Sequence, residues 1–204
     1  MRVKSVSKTL FAAAAFTLAA FAQPLAAQTV DLGPSSGGCC SGAWRGYIFE
    51  APTAMRITSL SLTNGSANSE LRVLRFNSFP PAFSATTGDL TQLFYATGAT
   101  ASTDITIAAG ELIGLAGYDF DAGQTWYSAF ETGHEVSIFG NDVVLTRIGQ
   151  QFLGDPTAVF SENGTLAAIN FSYATASAVP EPATLALLGL GLVGMAAAAR
   201  RRRA

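Results

Sequence analysis

Two cysteines stand side by side at Cys39-Cys40, inside the glycine- and serine-rich run from Ser35 to Gly42, and the chain has no others. Their Cα atoms lie about 3.8 Å apart across a trans peptide, whereas disulfides favour about 5.5 Å. A ring closed between neighbours is therefore strained, yet an oxidising compartment disfavours two free thiols. Three states fit the pair: a ring that locks its loop, a bridge to a second molecule, or reduced thiols in a flexible loop. A zinc site does not fit, because two cysteines and the distant His134 leave the ligand set incomplete.

A second constellation is Tyr118-Asp119-Phe120-Asp121-Ala122-Gly123. Two carboxylates beside a glycine suit a hard cation such as calcium, which collects several oxygens from one loop. The EF-hand spacing is not met, since its third ligand position falls on Gly123 and its glutamate position on Phe130. The favoured reading is a solvated acidic turn after a strand, with calcium at Asp119 and Asp121 as the weaker alternative. Trp44, Tyr118, Trp126 and Tyr127 offer flat apolar rings on which a sugar could stack; the competing use of such rings is core packing. Alternation sends Trp126 and Tyr127 to opposite sides of one strand.

Catalytic groups are sparse. His134 is the single histidine and sits in the turn-like Glu131-Thr132-Gly133-His134-Glu135. No H-E-x-x-H helix occurs. Acidic pairs that could hydrolyse a glycosidic bond are easy to find in so acidic a chain, so a secreted hydrolase ranks below a non-enzymatic protein. Asn64-Gly65-Ser66 and Asn163-Gly164-Thr165 are formal glycosylation acceptors that read as turns.

The glycines of Gly189-Leu190-Gly191-Leu192-Val193-Gly194 match G-x-G-x-x-G, but their context does not. A dinucleotide loop needs a strand before it, a helix after it and an acidic residue about 20 positions on. Here the glycines lie within an apolar run, Ala183 to Ala199, that carries no charge. At 1.5 Å per residue, roughly 17 residues span about 25 Å, enough for a thin bilayer. Arg200 to Arg203 follow and belong on the cytoplasmic side. Ahead of the run, Pro180 and Pro182 keep the backbone extended around Glu181. At the other end, Arg2, Lys4 and Lys8 precede the apolar stretch Thr9 to Ala22. That order describes a secretory signal peptide read by signal peptidase, cut after Ala22 or, preferably, after Ala27, since Pro24 breaks the helix.

Val179-Pro180-Glu181-Pro182, the apolar helix and Arg200-Arg201-Arg202-Arg203, in that order and spacing, resemble the sorting signal of the PEP-CTERM proteins of Gram-negative bacteria. The resemblance covers about the last 26 residues. It implies export, processing by an exosortase (a membrane-embedded cysteine protease) and an association with exopolysaccharide or biofilm. It implies nothing about the fold of the middle, apart from a loose likeness of Arg45-Gly46-Tyr47-Ile48-Phe49-Glu50-Ala51-Pro52 to the opening strand of β-domains in such proteins.

Three segments follow: a signal peptide over 1–27, a domain over 28–178 and the sorting tail over 179–204. The middle segment, about 150 residues, is long enough for its own core. It sets five arginines and no lysine against thirteen acidic side chains between Asp31 and Glu162, a net of −8. Such a domain has little pull on nucleic acid. Short alternating or apolar runs punctuated by Gly, Asn, Pro and Ser predict an all-β domain, a two-sheet antiparallel sandwich of jelly-roll type, with helices confined to the two ends. Ten strands are expected: Trp44–Phe49, Met55–Leu62, Glu70–Phe76, Gln92–Ala96, Asp104–Ala108, Leu112–Gly117, Thr125–Phe130, Glu135–Phe139, Asp142–Arg147 and Leu166–Tyr173. The apolar parity shifts near Ser59 and marks a bulge. Ala109-Gly110 suggests a tight hairpin, and Gly140 with Asn141-Asp142 another turn. Two prolines make Phe79 to Gly88 a surface loop.

Overall fold

The computed structural model describes residues 27–151 and 158–176. The expected signal helix, the membrane helix over 183–199 and the flanking motif residues lie outside the described residues. Within them the chain is all β, and its named strands pair antiparallel. In chain order the strands are β1 (Gln28–Val30), β2 (Gly37–Cys39), β3 (Arg45–Glu50), β4 (Met55–Leu62), β5 (Ser69–Phe76), β6 (Leu90–Thr97), β7 (Thr100–Ile107), β8 (Leu112–Asp119), β9 (Thr125–Glu131), β10 (His134–Ile138), β11 (Asn141–Gln150), β12 (Val159–Ser161), β13 (Thr165–Ala167) and β14 (Ile169–Thr175). They form one sheet ordered β1-β14-β4-β7 and a larger one ordered β10-β11-β3-β8-β5-β6, with β12 also on β11. A third small sheet runs β13-β9-β2.

The main core lies between the two larger sheets. Phe49 on β3 stacks on Phe171 of β14 with ring centroids 5.5 Å apart. Tyr47, fully buried, donates its hydroxyl to the Ile169 carbonyl at 2.7 Å. Burial pushes the Tyr47 phenol well above its ordinary range, so it stays a donor. The central strand β8 is buried on both faces: Ile113 and Leu115 enter the main core, while Ala116 and Tyr118 join a second cluster with Trp44, Ile148 and Val159. Period-two alternation delivers one strand to two cores. The edge strand β7 shows the opposite pattern, with exposed and half-buried residues in turn.

Gly46 lets β3 and β8 approach. A Cβ there would meet the Leu115 carbonyl oxygen and lie 2.9 Å from Ala116 Cα, both backbone. Against β7 the extra residue lies on β7, since Ile57 pairs with Ile105 and Ser59 with Ser102; against β14 it lies on β4, since Ile57 and Ser59 face the consecutive Tyr173 and Ser172. Thr58 is thus the extra residue of a bulge, where the parity change places it. The proline segment is a loop outside the strands, tied to β12 through Thr87 N to Val159 O (2.8 Å) and Phe83 N to Ser161 O (2.9 Å).

Four expectations need correction. The described residues form three sheets rather than two, because β9 turns away from the large sheet and pairs with the short β2 and β13. The strand expected over Leu166–Tyr173 divides at Ala168, whose N–H goes to Trp126 and whose carbonyl goes to Thr63, so the chain changes sheets there. Ala109-Gly110 turns tightly, with Gly110 at φ 80°, but β7 pairs with β4 and β8 with β3 and β5. It is a corner between sheets: Ile107 and Ile113 reach the same core from its two sides. The β10–β11 turn is built by Phe139 (φ 50°) and Gly140 (φ 78°), with Ile138 paired to Asn141. Positive φ at both central residues is the hairpin geometry that matches strand twist, so Asn141 and Asp142 already belong to β11.

Candidate functional site

Cys39 closes the exposed strand β2, and Cys40 follows at φ 72°. The two form a vicinal disulfide. Of the three states the sequence leaves open, this is the ring. β2 lies on β9, with Gly37 opposite Tyr127 and Cys39 opposite Thr125. That pairing brings the Tyr127 hydroxyl to 3.0 Å from Cys40 Sγ. A disulfide sulfur carries no hydrogen, so the phenol is the donor.

Behind the tyrosine stands Arg147 on β11. Its Nη2 donates to the Tyr127 oxygen at 2.6 Å and lies 3.8 Å from Cys40 Sγ. Its Nε pairs with Glu162 at 2.8 Å, and Nη1 donates to the Thr165 carbonyl at 3.2 Å. Arg45 on β3 reaches the same carboxylate at 3.4 Å and donates to the carbonyls of Trp44 and Gln150. Gly164 and Gly149 leave room for the two guanidinium groups: an added Cβ would stand 2.8 Å from Arg147 Nη1 and 2.7 Å from Arg45 Cδ.

Two cations thus share one carboxylate beside the sulfur ring. Burial lowers the Arg45 guanidinium from its usual range, against the pull of Glu162. Burial raises the Tyr127 phenol, opposed by the nearby Arg147 and Arg45. Tyr127 therefore remains a neutral O–H donor near neutral pH. The arrangement presents a hydroxyl and a cation to one sulfur of an exposed disulfide.

The acidic loop is put to another use. Asp119 is buried. Its Oδ1 accepts from the Ser66 hydroxyl (2.7 Å) and the Asp121 N–H (3.1 Å), and its Oδ2 accepts from Trp126 Nε1 (2.9 Å). Burial by itself would raise this carboxyl. The bonds from Trp126, Ser66 and the Ala122 and Asp121 amides outweigh it and leave the group lowered. Asp121 accepts from Asn68 at 2.7 Å. These carboxylates hold the β8–β9 loop against the β4–β5 turn. Among the described residues no group of three or more His, Cys, Asp or Glu side chains is placed to hold a metal.

The four aromatics do not share a face. Trp44 and Tyr118 are 1% and 3% exposed in the second core cluster, which removes both rings from any sugar-stacking surface. Large apolar rings on strands flanked by two packed layers bury more area inside than they could against one sugar. Trp126 turns to Asp119 and Tyr127 to the disulfide, on opposite sides of β9 as alternation requires. His134 stacks on Phe130 with centroids 3.8 Å apart. A groove of about 430 Å³ lined by Glu50, Phe79, Leu112 and Val144 lies elsewhere and takes no residue from the sulfur cluster.

Arg45, Arg147 and Glu162 are the site residues that sequence reasoning missed. A trace was present: every base of the domain is an arginine, the side chain suited to partly buried, forked pairing.

A family model described as the PEP-CTERM protein-sorting motif matches residues 178–203. The chain carries a PEP-CTERM sorting motif. The match takes in Val179, Pro180, Glu181, Pro182 and Arg200 to Arg203, all outside the described residues. A PEP-CTERM motif implies an exported protein of Gram-negative bacteria with an exosortase as processing partner. Curated proteins and solved structures give no match to the chain.

Proposed function

We propose that this chain is an exported cell-surface or matrix protein without catalytic activity, in which a β-domain is the cargo and the tail is the address. The N-terminal segment is a signal peptide removed by signal peptidase. The apolar stretch over 183–199 holds the precursor in the inner membrane with Arg200 to Arg203 inside. An exosortase then cuts near Pro180-Glu181-Pro182 and frees the domain to the surface, in association with exopolysaccharide. The observation that carries this reading is the PEP-CTERM match at 178–203 behind an all-β domain. Asp119, which looked chemical in the sequence, supports it, because its carboxylate is engaged in holding the β8–β9 loop in place.

The test is location. A tagged full-length chain and a variant lacking 179–204 are expressed in a host with an exosortase and in one without. The full chain should reach the surface or medium only in the first host. Equal distribution of both proteins in both hosts would remove the proposal.

A further inference from the structure

The disulfide is placed for chemistry that the sorting role does not need. Its two sulfurs differ: Cys39 is exposed, whereas Cys40 is half-buried against Tyr127 and Arg147. Exchange at a disulfide requires an accessible sulfur for the incoming thiolate and a stabilised thiolate as leaving group. The groups facing Cys40 supply the second requirement. Tyr127 on β9 donates to Sγ, Arg147 on β11 stands behind it, and Arg45 on β3 adds charge, with Glu162 offsetting one of the two guanidinium groups. A cation and a hydrogen bond beside a thiol lower its pKa. Tyr127 keeps its proton because burial raises the phenol, so the hydroxyl is still a donor when the thiolate forms.

We propose that Cys39–Cys40 is a thiol–disulfide exchange site that takes a low-molecular-weight thiol on Cys39 and releases Cys40 as a thiolate held by Tyr127 and Arg147. The thiolate attacks Cys39 Sγ along the axis of the bridge. The new bond joins Cys39 to the small thiol, the Cys39–Cys40 bond breaks, and its electron pair leaves on Cys40. No net oxidation occurs: one disulfide and one thiolate become another disulfide and another thiolate. The reverse attack by Cys40 on Cys39 Sγ expels the small thiolate and recloses the ring. The site is thereby a reversible S-thiolation site on an exported domain, and the incoming thiol is the one reactant it needs.

The test uses the purified full chain in detergent with glutathione as the probe. After incubation the reaction is quenched in acid, free thiols are alkylated and the peptide spanning Cys39 and Cys40 is read by mass spectrometry. Glutathione should sit on Cys39 and the alkyl group on Cys40, in at least about three-fold excess over the reverse, because the more acidic thiol leaves faster. In Tyr127→Phe, which keeps the ring under Arg147 but removes the donor, the partition should move toward parity. The pH midpoint for alkylating Cys40 in the reduced protein should rise. Circular dichroism confirms that this variant folds. Equal or reversed labelling in the wild type overturns the proposal, as does no adduct, free alkylation without reductant, or a Tyr127→Phe partition equal to the wild type.

Discussion

Arg147 donates from Nη2 to the hydroxyl of Tyr127 at 2.6 Å, and its guanidinium carbon stands 4.8 Å from the centre of the same ring. With its Nε on Glu162 at 2.8 Å, one side chain joins β11 to β9 and to the segment after β12. Neutralising the carboxylate leaves two guanidinium groups partly buried without their shared partner. Glu162→Gln should lower unfolding stability by about 1–3 kcal/mol, the cost of unmatched buried polar groups, toward the lower end because Glu162 keeps some exposure. Urea denaturation measures it. In a double-mutant cycle with Arg147→Gln the two losses should be less than additive; full additivity would mean that the pair does not interact.

Asp119 predicts an acid response. Burial opposes its charge, but the Trp126, Ser66 and backbone donors win and hold the folded carboxyl below its unfolded value. The native state then binds fewer protons than the unfolded chain. The stability it contributes is present above an unfolded pKa of about 3.9 and is lost as pH falls through the folded value. Thermal melts of wild type and Asp119→Asn should therefore differ by a constant amount at neutral pH and converge as pH drops below about 4. A gap that widens in acid would contradict the assignment.

Gly46 tests the packing of β3 on β8. An added methyl would meet backbone atoms of Leu115 and Ala116, which sit in the middle of the large sheet and have no free direction to move. Gly46→Ala should cost at least about 3 kcal/mol, the upper range for overpacking. A variant within about 0.5 kcal/mol of wild type, a range typical of surface substitutions, would show that the two strands are not so closely apposed.

Trp44 is a core residue, and its removal should behave as one. Trp44→Ala should destabilise by about 3–5 kcal/mol, read by denaturant unfolding. A glycan array on the wild type should show no signal that depends on Trp44 or Tyr118, whose rings are buried.

What the sequence made legible follows from what its signals measure. Binary alternation found the strands that face the main core, such as β4, β5 and β8, because burial on one or both faces leaves a period-two or unbroken apolar trace. The bulge at Thr58 against β14 was readable for the same reason, since an extra residue flips parity. β2 was not, because Gly37-Gly38-Cys39 is exposed along its length and has no apolar period. The small sheet was invisible with it, as were the corner at Gly110 and the break at Ala168: alternation reports which face is buried, not which neighbour a strand takes. Phe139 hid only the centre of the β10–β11 turn, which lies one residue earlier than Gly140 and Asn141 suggest, since a bulky residue at positive φ carries no turn signature; its ring is held 4.8 Å from Tyr173. The site behaved likewise. Cys39-Cys40 announced itself, while Arg147 and Glu162 meet it only through pairings distant in the chain.

The central claim is that the tail is a sorting signal that is cut away. Its most direct test is mass spectrometry of the C-terminal peptide of the protein recovered from an exosortase-bearing host. The account predicts a mature chain that ends near Pro180-Glu181-Pro182 and lacks 183–203, and uncut chain when Pro180, Glu181 and Pro182 are all replaced by alanine. Mature protein that keeps 183–203, or a triple variant cut like the wild type, would contradict it.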